Sequence, residues 1–141
     1  MTGVGTINTN PVFSQATDAE YQANTAGAKA LTPEKVWLGV DYTALTDAAS
    51  IAVNMGAGFN FSVSIAGNRT LANPTNPKVG QSGCFKVTAS GASRTIAVGT
   101  NYFSTTTFPV TIAAASQICY LFYYVDTTTR IIITGVVNNP T

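Results

Sequence analysis

The sequence predicts an all-β protein: an antiparallel β-sandwich of jelly-roll-like form, with a short N-terminal arm and one or two short helices. Three observations carry this. Apolar and polar residues alternate strictly in FNFSVSI (59–65), the mark of a half-buried strand. Short strand-like runs, about seven to nine of them, follow one another between turn signals. After position 47 no helical periodicity of about ten residues occurs.

Taken in order, residues 1–14 are polar, glycine-containing and aperiodic apart from Val12 and Phe13, which reads as an extended arm. TDAE (17–20) is a capping box, so a short helix is expected over 17–23, ending before Asn24 and Gly27. LTPEKVW (31–37) holds a second helix start, with Thr32 as N-cap, Pro33 at the first helical position and Glu34 at the positive helix end. Both helices are too short to stand alone in water and must dock.

Strands are expected over 50–55, 59–65 and 69–72, with GAG (56–58) as a tight turn and the two prolines of NPTNPK (73–78) ending the third. CFKVTA (84–89) and RTIAV (94–98) flank SGAS as a hairpin, with Gly91 free to take positive φ. Tyr102 and Phe103 start a short strand, and a Thr-rich stretch leads on to Phe108 and Val110. ICYLFYYV (118–125) and RIIITGVV (130–137), joined by DTTT, form the strongest hairpin. Phe59, Phe61, Val63 and Ile65 are the expected core face, joined by Phe85 and Val87. The organisation is therefore an N-terminal attachment arm with short capped helices over 1–46 and a β-sandwich domain over 47–141.

The run 118–125 is apolar on both faces, whereas a two-layer sandwich buries one face of each sheet. Its other face must meet the N-terminal segment or another subunit; a subunit interface is the leading expectation, with Tyr120, Leu121, Tyr123 and Val125 as interface residues and Tyr123 directed outward. Tyrosine suits such a place because one end of the ring stays wet.

Composition points away from catalysis. The 141 residues include no histidine, six carboxylates and seven Lys or Arg, and 9% of the chain is charged. The general base that most enzymes use near neutral pH is missing, and with it the Ser–His–Asp and Cys–His arrangements. Glycoside hydrolysis needs two carboxylates at one cleft, and Asp126 is the single acid after Asp47. Cys84 and Cys119 have no metal-type spacing and read as buried free thiols, so no metal or other cofactor is expected. Lys78, Lys86, Arg69, Arg94 and Arg130 are too dispersed for a nucleic-acid stripe. The start MTGVGTINTN shows no signal peptide, and no run approaches the roughly 20 apolar residues of a membrane span. NRT (68–70) matches a glycosylation acceptor without a secretion signal beside it. Trp37 with Tyr42 reads as a docking anchor for the second helix in preference to a sugar platform.

Two strings resemble a known family. ATDAEYQANTAGAKALTPEKVW (16–37) is similar to an element near the attachment ends of tailed-bacteriophage fibre and virion accessory proteins, and GNRTLANPTNPKVGQSG (67–83) to the β-domain that often follows it. The resemblance implies a homotrimeric or otherwise multivalent protein of the virion surface, made in the host bacterial cytoplasm. Its N-terminal segment would attach through Phe13, Tyr21, Leu31 and Trp37 to the major capsid protein or another virion protein. The chain departs from long tail fibres in lacking a heptad shaft and β-helical repeats, so a capsid decoration or head-fibre protein is expected. The alternative is a tail-fibre or spike module binding host surface glycan through loop aromatics such as Tyr102 and Phe103.

Overall fold

Among the described residues ten short strands form two facing sheets, and the first nine alternate between them. The computed structural model describes Thr17 and residues 33–138. A short helix α1 (Pro33–Gly39) opens the described chain, with Pro33 at its first position as the sequence indicates. The strands are β1 (Tyr42–Ala44), β2 (Ser50–Ile51), β3 (Asn60–Ile65), β4 (Arg69–Leu71) and β5 (Ser82–Ala89). They continue with β6 (Arg94–Val98), β7 (Tyr102–Phe103), β8 (Val110–Ile112), β9 (Ile118–Thr127) and β10 (Arg130–Asn138). One 3-10 turn, Met55–Ala57, stands where the tight GAG turn is expected, and it shortens the strand expected over 50–55 to two residues. The helix expected over 17–23, Thr32 as its successor's cap, and Phe13, Tyr21 and Leu31 lie outside the described residues.

The larger sheet has the order β1-β3-β5-β9-β10-β7, the smaller β2-β4-β6-β8. Up to β9 each strand therefore leaves one sheet and enters the other, and β9–β10 is the one consecutive pair inside a sheet among the described residues. The all-β class and the two-sheet architecture stand. The antiparallel jelly-roll form is corrected: five of the eight pairings are parallel. Over the first six strands each strand returns to its sheet, after a detour through the other, in the same direction as before, so β1, β3 and β5 run parallel, as do β2, β4 and β6, whereas β8 and β9 return reversed. The expected β5–β6 hairpin is corrected for the same reason. Gly91 does take positive φ (75°), but its turn carries the chain across the sandwich, where β6 pairs with β4 and β8. β1, N-terminal to residue 47, is an edge strand of the larger sheet.

The core lies between the sheets. The smaller sheet contributes Ile51, Leu71, Ile96 and Ile112, each fully buried, and the larger sheet Phe61, Val63, Ile65, Phe85 and Val87 with the inner residues of β9 and β10. Phe61 stacks on Phe85 at 5.4 Å, and Phe85 meets Tyr123 at 5.1 Å and Tyr102 edge-on at 6.2 Å. Phe59, expected in this row, precedes the strand and is half-buried.

Asparagines tie successive coils together. Asn60 Oδ1 accepts from Cys84 N (3.0 Å), Asn68 Oδ1 from Thr95 N (3.0 Å) and Asn73 Oδ1 from Asn101 N (2.8 Å). Each bond reaches a residue one coil onward, satisfying backbone donors where the ladders end. Asn68, a glycosylation match by sequence, has this internal role.

Phe61→Ala is expected to cost about 3–5 kcal/mol of stability, because it removes a fully buried ring. Ser62→Ala, on the opposite face of β3, is expected to change stability by less than about 0.5 kcal/mol. Urea unfolding of the two variants checks the register.

Candidate functional site

Two surfaces hold most of the exposed large apolar side chains among the described residues. The first is α1. Val36, Trp37 and Leu38 are exposed there, Trp37 to 76%, even though the helix closes on itself through Val40 N to Trp37 O and joins the sheet where Asn60 Nδ2 donates to Val40 O (2.6 Å). Of the attachment residues expected from sequence, Trp37 is the one within the described residues, and it is open to solvent. The expected docking of Trp37 is not made by the described residues, which leave most of the indole uncovered.

The second surface is the outer face of the larger sheet. Strand alternation divides β9 cleanly. Cys119, Leu121, Tyr123 and Val125 are buried, while Phe122 and Tyr124 are exposed and Tyr120 is half-buried. Three of the four expected interface residues, Leu121, Tyr123 and Val125, therefore belong to the core of a single chain, and only Tyr120 lies outside. The reason is a buried polar knot. Tyr123 donates its hydroxyl hydrogen to Phe59 O (2.6 Å), and Gln81 Nε2 beside it donates to Met55 O (2.9 Å) and Gly58 O (2.7 Å). Gly83 makes room, since a Cβ there would stand 1.8 Å from Phe59 O. A tyrosine hydroxyl can be buried when it is bonded, so the ring turns inward with its strand. Burial pushes the Tyr123 phenol above its ordinary range.

Register assembles the outer face from five strands. Tyr42 opposes Asn60, Cys84 opposes Phe122, and Phe122 opposes Gly135; in the next rows Lys86 opposes Tyr120, and Tyr124 opposes Ile132. Tyr120 and Phe122 stack at 6.4 Å, and Lys86 Nζ lies 5.7 Å from the Tyr42 ring. The Tyr42 hydroxyl reaches Cys84 Sγ (3.5 Å), which raises the Tyr42 phenol to about 12. Cys84 is thus buried on the outer side of the sheet and Cys119 on the inner side. Both are free thiols, and burial pushes Cys119 up to about 11. Two shallow grooves mark this face. One, of about 400 Å³, is lined by Asn60, Ser82, Cys84, Phe122 and Thr134; the other, of about 290 Å³, by Leu45, Ser62, Ser64, Lys86 and Thr88.

A third space of about 430 Å³ opens between β1 and β2 at the sandwich end, lined by groups such as Leu45, Ala48, Ala52 and Thr75, with no titratable side chain. The two acids considered for hydrolysis are engaged separately. Asp47 binds Arg69 through both carboxylate oxygens (2.7 and 3.0 Å) and accepts from Ala66 N, and Asp126 pairs with Arg130 (3.7 Å). The Arg69 guanidinium holds the Asp47 carboxyl at about 2. No group of three or more His, Cys, Asp or Glu that could hold a metal occurs among the described residues. No helix among them is long and apolar enough to cross a membrane. Of the loop aromatics considered for glycan, Tyr102 is corrected to a core residue (7% exposed), and Phe103 is exposed beneath Arg130 at 5.4 Å. No protein-family model and no curated protein matches the chain.

Asp47 has a folded pKa below its unfolded value, so its ion pair contributes fully above about pH 4 and is lost as pH falls toward 2. The urea midpoint of the protein should fall across that window, and Asp47→Asn should flatten this part of the profile. Tyr123→Phe, which removes the bond to Phe59 O, should cost about 1 kcal/mol in the same measurement while leaving the chain's mass in solution unchanged.

Proposed function

We propose that this chain is a non-enzymatic structural protein of a tailed-bacteriophage virion surface, a capsid decoration or head-fibre protein that attaches by its N-terminal segment. The observation that carries the reading is α1. A seven-residue helix presenting Val36, Trp37 and Leu38 to solvent is an apolar anchor beside a β-domain that has a complete core of its own. The strings 16–37 and 67–83 supply the virion context, and the trimeric state comes from the same resemblance.

Function on this reading follows from copy number. Each subunit adds modest contacts to a repeating shell, and several joined subunits bind with an avidity far above one contact. A protein that binds the assembled shell and not separated capsid subunits stabilises the shell by linkage. The β-domain then projects outward, and its stability serves persistence outside the host.

The full chain should sediment with virions, and gold-labelled antibody to it should decorate their heads. Changing Val36, Trp37 and Leu38 together to serine should abolish co-sedimentation without altering circular dichroism. Equal binding by that variant would overturn the attachment reading.

A further inference from the structure

We infer that the outer face of the six-stranded sheet is an association surface between copies of this chain. The face is built from Tyr120, Phe122 and Tyr124 of β9, flanked by Tyr42, Ile132 and Val137. Tyr42, Phe122, Tyr124 and Val137 are each between 41% and 44% exposed, and by strand register they form one continuous patch. Isolated exposed apolar residues are ordinary, but a continuous aromatic patch across a sheet marks a contact surface.

Area, chemistry and the sheet edges select a second copy as the occupant. At a strand spacing of about 4.8 Å and a rise of about 3.3 Å per residue, the six strands present about 600 Å². Two such faces bury about 1,200 Å², the lower bound for a specific, stable interface. The chemistry of the face is self-complementary. Its polar groups are mainly the hydroxyls of Tyr42, Tyr120, Tyr124, Ser62, Ser64 and Thr88, each both donor and acceptor, so copies of the face can meet with neither kind in excess whichever rotation relates them. Among the described residues the full charges at these strands' outer positions are Lys86, which already lies over the Tyr42 ring, and Asp126 and Arg130 at one end of the face, which pair with each other. An acidic or basic partner would find little to match there. The edges offer poorer routes to association, since β1 has three residues and β7 two, too short to template another sheet.

The inference does not rest on the virion reading, because a chain that binds no virion can still self-associate. The test uses the full chain in solution. Light scattering and sedimentation equilibrium of the unaltered protein should give a mass of two or more times 14.6 kDa. Phe122→Glu should raise the dissociation constant at least about thirty-fold and yield monomer, with circular dichroism and urea midpoint unchanged. Val79→Glu places the same charge on an exposed apolar residue off the sheet (67% exposed) and should leave the mass of the assembly intact. If Phe122→Glu lowers the urea midpoint, Tyr124→Glu, the next outward position, replaces it as the test. A monomeric unaltered chain at about 100 μM would overturn the inference, and would leave the chain's own residues 1–32 or a different partner to cover the face. An unchanged mass for a folded face variant would overturn it equally.

Discussion

A strand that crosses to the opposite sheet at each turn cannot pair with its neighbour in sequence, and the protein is organised by that constraint. Its hydrogen-bond partners lie a whole coil away, as when Phe61 faces Phe85 and Arg69 faces Ile96. Such contacts close long loops before they contribute anything, an entropic cost that local hairpins avoid. The asparagine bonds from residues 60, 68 and 73 offset part of it, because each joins one coil to the next at the ends of strands. The terminal β9–β10 hairpin is the local exception, and it lies beside β5, where the parallel run of the larger sheet ends.

The polar knot around Gln81 performs a second task within this winding. The segment from Met55 to Phe59 must turn out of the smaller sheet and into the larger one, exposing carbonyl groups in a region sealed from water. Gln81, just before β5, and Tyr123 of β9 satisfy the carbonyls of Met55, Gly58 and Phe59 from two separate segments. Buried polar groups of this kind tolerate no slippage, since a shift of one residue reverses every side chain on a strand. The knot thereby sets which face of β9 is inside, and hence which aromatics remain for other molecules.

Stability and interaction are consequently separated in space. The core and the knot engage the inner half of β9, and the Asp47–Arg69 pair fastens the β1–β2 loop to β4. The outer half of β9 and the helix before β1 carry the uncovered aromatic surface. With few charges on the chain, that surface is little diluted by ionic groups, which suits a protein whose work is contact.

Much of this was legible in residue order. Alternation in 59–65 located β3 and its inward side chains, Pro33 marked the start of α1, and turn residues bounded RTIAV and the final hairpin. Trp37 stood out as a candidate anchor because it is the sole tryptophan of a capped helix. Strand direction was not legible, because the turn SGAS looks alike whether it folds a hairpin or crosses a sandwich, and only the positions of strands far away in sequence decide between them. The outward face of β9 was equally hidden. Period two sorted residues 118–125 into two apolar sets, and by sequence alone either could face the core. What sequence determined was therefore the set of strands and which residues share a face. The tertiary structure alone decided how the strands pair and which face is buried, because burial of Tyr123 depends on Phe59 and Gln81, which no local pattern brings to its side.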